Sequence, residues 1–468
     1  MKNKIICIVV ISILITSFFG VANSTKINKN KESFCSCEIN SDYEFSVSDL
    51  CGYIPIENFA EDLTQNPLIA SSNLPESFDW RDEVTGSYPS IKDQTLIYVP
   101  YTHVPYLSCG ACWAFASCGV FEWVIKIRDG DKVDLSEQYL ISCNKDKLPS
   151  GDPWGCEGGY VAFDYFKDKT GKCNNDAGAV LESDFPYEVH YNWGIPMVPD
   201  DVECKKISNH PYEIEGWSYV YPRTNGVPAV EILQQAIYQY GPVYSGVKAG
   251  NDNDNHFLDY TSGVYSYEAD GPVNHAVVII GWEGEPDDEN GYWIVKNSWG
   301  NWWWGEDGYM KIKYGCSSIG HHAAYVNYKD PKSDLRCSGS LSWSDVEPGN
   351  KVTGSFSVKN DGDEHSFLNW KVQSHPNWGS WTITPNSVEG ENSLCKGEQM
   401  TVKVSVSAPE IKDNSYSGSI KIVNQDDNYD FEEISVSLAT PKYKNVKLPF
   451  LQLFRINFMF RNFFTKLI

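Results

Sequence analysis

From Cys112 to Arg128 the apolar residues Trp113, Ala116, Val120, Val124 and Ile127 recur three or four positions apart, with Glu122, Lys126 and Arg128 mostly off that stripe. The spacing predicts an amphipathic helix with Cys112 in its first turn. Further on the period changes. Ala276 to Ile280 form a continuous apolar run with His275 at its start, the pattern of a buried strand. Tyr292 to Val295 predict a second strand, which leads through Asn297 into a glycine turn at Gly300.

Beyond Pro331 apolar and polar residues alternate. Lys351–Val358, Thr401–Ser407 and Ile434–Leu438 carry this period of two, and turn signals such as Glu347-Pro348-Gly349-Asn350 and Asn360-Asp361-Gly362-Asp363 separate such runs. About seven strands over residues 335–440 predict an all-β immunoglobulin-like sandwich. At the N-terminus, Lys2 and Lys4 precede the apolar run Ile5–Phe19, and Ala22-Asn23-Ser24 supplies small residues, so residues 1–24 read as a signal peptide. At the other end, residues 441–468 form a basic, apolar tail with Arg455 and Arg461 interrupting any membrane-spanning run. The tail reads either as an interfacial or surface-retention segment, or as one that docks on the chain's own acidic surface.

Length and charge narrow the class. At 468 residues the chain exceeds one hydrophobic core, and a net charge of −24 argues against nucleic-acid binding. Fourteen cysteines fit an oxidising compartment, so the protein is expected to be secreted or held at the cell surface, as a monomer. No paired C-x-x-C modules suit a zinc site, and no metal or organic cofactor is expected.

The candidate chemistry is that of an activated thiol. A cysteine opening a helix, after the small-residue turn Ser108-Cys109-Gly110-Ala111, is placed for its thiolate to feel the helix's positive end. A thiol nucleophile also needs an imidazole, and the imidazole needs an acceptor that fixes its ring. Taken singly, Cys112 reads as a half-cystine or inert thiol, His275 as a core histidine and Asn297 as a turn former. Their occurrence in one chain favours the chemical reading. His103, His190, His210, His256, His321, His322 and His365 belong to no motif and read as structural or surface residues.

Cys109-Gly110-Ala111-Cys112-Trp113 matches the motif around the nucleophile of papain-family, cathepsin-like cysteine peptidases, which the chain resembles over about residues 74–328. Leu74–Asp82 resembles the family's mature start, Ile91–Gln94 its oxyanion segment, Leu135–Gln138 its second helix and Cys156–Tyr160 its substrate-backbone loop. The resemblance implies an α+β catalytic domain over 74–330 with a helical lobe and a β-barrel lobe. It implies Cys112 as nucleophile, His275 as acid/base, Asn297 as its orienting amide, and Trp299 as the indole shielding their contact. Gln94 and the Cys112 N–H would form the oxyanion hole. Gly158 and Gly159 would pair with substrate backbone, and Tyr160, Val273 and Ala276 would border the second subsite, which predicts an apolar or aromatic P2 residue. Cys109–Cys156 and Cys143–Cys204 are the implied disulfides. Cys316 lacks its usual partner, and Cys337 and Cys395 are candidates to staple the sandwich.

Two departures bear on access. Thr95–Leu107 adds thirteen residues where the family has a single glycine; it is read as a wall or lid over the cleft, or as an exposed loop. Residues 25–73 lack the long helical pattern of the family's proregions. Cys35, Cys37 and Cys51 point to a small stapled segment there, a propeptide over the cleft or a plain N-terminal extension. The expected function is a secreted endopeptidase acting on peptide or protein substrates. The alternative is a catalytically silent cell-surface protein that binds peptides or mediates adhesion.

Overall fold

The structure is a computed structural model; it describes residues 50–55, 68, 70–71, 73–95, 109–187, 190–192, 195–197, 199–221, 223–224, 226–302 and 304–442. The signal segment, most of 25–73, the insertion beyond Thr95, Trp303 and the tail beyond Lys442 lie outside them.

The helix expected at Cys112 runs over Cys112–Asp129 and ends at Gly130, whose φ of 77° suits a residue without a Cβ. It is not amphipathic in the ordinary way, because every residue from Cys112 to Lys126 is buried. Glu122 and Lys126, which lie off the apolar stripe, go inside because each has a partner. Glu122 accepts the Leu135 N–H at 2.9 Å, and Lys126 Nζ donates to Gly130 O at 2.6 Å. A second helix, Glu137–Cys143, starts where Ser136 Oγ accepts the Tyr139 N–H at 3.0 Å. A third, Val230–Tyr240, packs against the strands His321–Asn327 and His275–Glu283.

Residues 216–327 build most of an eight-stranded sheet. Its order is Gly216–Tyr219, His321–Asn327, Val243–Val247, His275–Glu283, Tyr292–Lys296, Tyr309–Lys313 and Val264–Tyr265, with Ser77–Asp79 added beside His275–Glu283. His275–Glu283 is the long central strand, buried from His275 to Trp282. It pairs antiparallel with Tyr292–Lys296, and the register slips by one residue between Ile294 and Val295: Ile294 faces Gly281, but Val295 faces Ile279.

A buried charge cluster joins the segment before Gln94 to the helices. Lys92 Nζ lies 3.0 Å from Glu122, 2.9 Å from Glu137 and 2.7 Å from Asp134. Glu122 and Glu137 are each 1% exposed, so the ammonium is what makes their burial tolerable. Burial, with Glu182 and Glu122 nearby, still pushes the Glu137 carboxyl up to about 8.

The region after Pro331 is all β. Leu335–Ser338, Lys351–Asn360, Gln399–Ser407 and Ser380–Thr384 form one sheet; Leu341–Trp343, Phe431–Ala439, Ser415–Asn424, Trp370–Ser374 and Ser387–Val388 form the other. Phe356, Val358 and Val402 from the first share one core with Trp370, Ile420 and Ile434 from the second. The expected Cys337–Cys395 staple is not there: both are free thiols. Cys337 pairs opposite Val358 within the first sheet, whereas Cys395 lies in a separate two-stranded ribbon opposite Phe367, so the backbone never brings them together. Where the all-β region meets the preceding residues, His365 stands edge-on to Trp80 and Tyr238 at 4.7 and 4.6 Å, and burial pushes its pKa down to about 4.

Lys92→Met is expected to destabilise the full chain by about 3 kcal/mol or more, because it strands two buried carboxylates. Urea unfolding measures this, and a loss below about 1 kcal/mol would mean that the cluster does not need its cation.

Candidate active site

Cys112 is the first residue of its helix, and the residue before it, Ala111, offers no side-chain cap. The unsatisfied N–H groups of that turn therefore face the thiol's side of the helix end. On the sheet, His275 Nε2 lies 2.8 Å from Asn297 Oδ1, which also accepts the Ser298 N–H at 2.8 Å. The Trp299 ring lies 4.6 Å from the His275 ring at a 32° tilt and is wholly buried. The Asn297 contact fixes the imidazole, leaving His275 Nδ1 buried and without a hydrogen-bond partner among the described residues. The backbone N–H of Ala276, the next residue, acts on the Cys112 thiol. His275 and Asn297 are thus bonded to each other, and the residue that follows His275 reaches the Cys112 thiol.

A peptide segment of the same chain fills the cleft. Gly52 N donates to Cys112 Sγ at 3.3 Å. On one wall Gly159 N donates to Gly52 O at 2.9 Å and Ile54 N donates to Gly159 O at 3.2 Å, a parallel bridge centred on Tyr53. On the other wall Tyr53 N donates to Asn274 O at 2.9 Å. Gly52 must be glycine: a Cβ there would fall 1.8 Å from Gly110 O. Gly158 and Gly159 lie where substrate backbone was expected, and that backbone is Gly52–Ile54.

Gln94 is fully buried and stands beside the thiol's turn. Its Nε2 donates to Leu50 O at 2.8 Å and to Cys109 O at 2.9 Å, while its Oε1 accepts from Ser298 Oγ at 2.6 Å. A carbonyl of the cleft segment therefore takes the amide that the sequence assigns to an oxyanion. Val273 borders the Tyr53 ring, with its Cγ1 beside the bare Cα of Gly246. Tyr160 packs edge-on against Trp154 at 5.1 Å, and Ala276 contributes its backbone at the thiol.

With the segment in place, burial pushes the Cys112 thiol up to about 11, although N–H groups of Gly52, Ala276, Trp113 and Tyr53 pull the other way. Burial likewise pushes His275 down to about 4 against the Asn297 contact. At neutral pH both groups are uncharged.

Cys109–Cys156 and Cys143–Cys204 are disulfides, with Cα atoms 4.5 and 4.8 Å apart. Cys316 is a free, buried thiol that donates to Tyr267 O at 2.9 Å. Of the tryptophans after Gly300, Trp304 is buried against Trp299 at 5.3 Å, whereas Trp302 is 61% exposed and donates to Asp93 at 2.9 Å. Sequence reasoning missed Gly52, Tyr53, Gly246 and His322. Only the Cys51-Gly52-Tyr53 triplet offered a sign, a glycine between a thiol and an aromatic residue.

A family model described as papain family cysteine protease matches residues 74–327. That is more than half of the chain, and the chain belongs to this family. Curated relatives include a cysteine endopeptidase named RepA from Oryza sativa subsp. japonica, 34% identical over 53% of this chain and 54% of its own length. A senescence-specific cysteine protease, SAG12 of Arabidopsis thaliana, is 32% identical over 55% of this chain and 63% of its own. Macrodontain-1 of Ananas macrodontes is 31% identical over 53% of this chain and 92% of its own. The chain thus spans less than two thirds of the length of each of the first two. Among solved structures, digestive procathepsin L2 from Tenebrio molitor is 28% identical, covering 60% of this chain and 79% of its own, with a TM-score of 0.44.

Iodoacetamide is expected to modify Cys112 of the full chain slowly at pH 7, with the rate rising about tenfold per pH unit toward pH 11. Tyr53→Asp places a charge in the covered pocket and is expected to raise the pH 7 rate at least about tenfold. Peptide mass mapping of Cys112 reads both rates, and a wild-type rate equal to that of a free cysteine would contradict the covering.

Proposed function

We propose that this chain is a secreted cysteine endopeptidase, made as a latent precursor whose residues 50–55 occupy its own cleft. The observation that carries the reading is the seating of Gly52–Ile54: an extended peptide, bonded on both walls, passes over a thiol that opens a helix. Once the segment leaves, Cys112 regains solvent and the field of its helix, and His275 can hold it as thiolate. The thiolate attacks a substrate carbonyl, with the Cys112 N–H and the Gln94 amide, freed from Leu50 O, holding the oxyanion. Imidazolium His275 protonates the leaving amine. Neutral His275 then activates water to hydrolyse the thioester, while Asn297 keeps its ring oriented under Trp299.

The pocket that Tyr53 fills supports an apolar or aromatic P2 residue. We read the C-terminal sandwich as immunoglobulin-like, an accessory module for recruitment, adhesion or spacing, and the protein as an extracellular monomer. Among the described residues no helix is long and apolar enough to cross a membrane.

Cleavage of a peptide library under reducing conditions tests the reading. The wild-type chain is expected to turn over slowly, Tyr53→Asp at least about tenfold faster, and Cys112→Ala not at all, with P2 favouring apolar or aromatic residues over arginine. No turnover in wild type or Tyr53→Asp would leave a protein that only binds peptides.

A further inference from the structure

The Tyr53 ring is 4% exposed, and its hydroxyl oxygen lies 3.0 Å from His322 Nδ1 at the bottom of the pocket. The ring also faces Tyr244 at 6.0 Å. Gly246 sets the width: a Cβ there would stand 2.8 Å from Tyr53 Cε1 and 2.9 Å from Val273 Cγ1, so any side chain would collide with an aromatic ring. His322 is held from behind. Its N–H donates to Gly226 O at 2.7 Å, its φ is 48°, and it sits where the register with Val243–Val247 slips.

We propose that His322 is a specificity-determining residue that reads the phenolic hydroxyl of a tyrosine at P2, in a pocket that Gly246 makes wide enough for the ring. This rests on the reading of the cleft as a peptidase site. Phenylalanine fills the same space but leaves His322 Nδ1 without that hydroxyl. Withholding a partner from a buried polar group typically separates such substrates by about five- to a hundredfold. A cationic P2 side chain gains nothing from a pocket walled by Val273 and Tyr244.

The test uses the full chain carrying Tyr53→Asp, with the cleft open, and matched peptides that differ only in Tyr or Phe at P2. The kcat/KM ratio is expected to favour Tyr at least about fivefold. Adding His322→Leu brings the ratio to about one, and His322→Gln, which keeps a hydrogen-bonding group, restores part of it. A ratio of one or below with measurable turnover overturns the hydroxyl reading and leaves the peptidase standing. Absence of turnover on every peptide overturns the peptidase reading and this inference with it. A second measurement needs no turnover: in the otherwise wild-type chain, Tyr53→Phe is expected to speed alkylation of Cys112 about fivefold, with no further gain from His322→Leu. Equal rates for Tyr53→Phe and wild type would also overturn it.

Cys51 carries a second inference, on a separate observation. Gly52 N lies 3.3 Å from Cys112 Sγ, and the preceding Cα is about 2.4 Å from any peptide nitrogen, so the Cys51 backbone is within roughly 6 Å of the catalytic sulfur. Disulfides span Cα separations of about 4.4–6.8 Å, a range that a Cα-to-sulfur distance of up to roughly 6 Å permits without fixing, and both cysteines are free thiols. The geometry points to a Cys51–Cys112 disulfide that forms under oxidation by a low-molecular-weight disulfide and covalently locks the segment over the site. Cys51, the less buried of the two, attacks the small disulfide as thiolate and expels one thiolate. Cys112 thiolate then attacks Cys51 Sγ and expels the second, so two protein thiols become one disulfide and the oxidant becomes two thiols.

Full-chain protein treated with glutathione disulfide is expected to yield a 51–112 crosslinked peptide on non-reducing mass mapping. Cys112 should then resist alkylation until dithiothreitol is added, and Cys51→Ser should yield no crosslink. Pairing of Cys51 with Cys35 or Cys37 while Cys112 stays alkylatable, or a stable glutathione adduct on wild-type Cys112, would overturn the inference.

Discussion

The site depends on one extra residue in the central strand. Facing residues of an antiparallel pair point to the same side of a sheet, and side chains alternate along each strand. Before the slip, Ile294 faces Gly281; continuing that register would set Asn297 opposite Val278, on the face away from His275. After it, Lys296 faces Val278, so Asn297 falls opposite Val277 and shares a face with His275. A single-residue bulge therefore turns a side chain that would point elsewhere into the acceptor 2.8 Å from the imidazole. Every later feature of the site, from ring orientation to the cover of Trp299, follows from that parity.

With residues 50–55 in the cleft, Cys112 and His275 are both wholly buried. What the segment presents to Cys112 Sγ is the Gly52 amide N–H, a donor that stabilises the sulfur where it lies. Its parallel pairing with Gly159 fixes that presentation, because the bonds come from the residues on either side of Tyr53. The same coverage removes water, and desolvation opposes both charges that the chemistry requires, thiolate and imidazolium. Occupancy and electrostatics act in one direction.

The assembly of the cleft was legible in the sequence where its residues belong to short motifs. The turn before Cys112, the His275 run and the Asn297 strand end each carry local patterns, and the two implied disulfides join residues within one domain. The alternating runs after Pro331 likewise give two sheets sharing a core, since period two is a local property. What was hidden depends on distant partners. Glu122 reads as a polar residue off the stripe until Lys92, thirty residues earlier, supplies its counter-charge. His322 belongs to no motif, and its place under the Tyr53 ring comes from a register slip between strands some eighty residues apart. The Cys337–Cys395 pairing failed for the matching reason: cysteine count says nothing about which strands the backbone sets side by side.

The residues around the cleft sit on two bodies that the segment spans. Cys112 opens the long helix, and Gln94 follows Lys92, whose ammonium is gripped by carboxylates from that helix and the next. Cys112 and Gln94 are therefore referenced to the helices. His275, Asn297 and His322 are referenced to the sheet. Residues 50–54 bond to Gln94, Cys112 and Gly159 on the first body and to Asn274 and His322 on the second. Such a strap resists separation of the two walls, so its departure must break contacts on both sides together. That couples the contacts on the two walls through Tyr53, which is held by both its backbone and its hydroxyl.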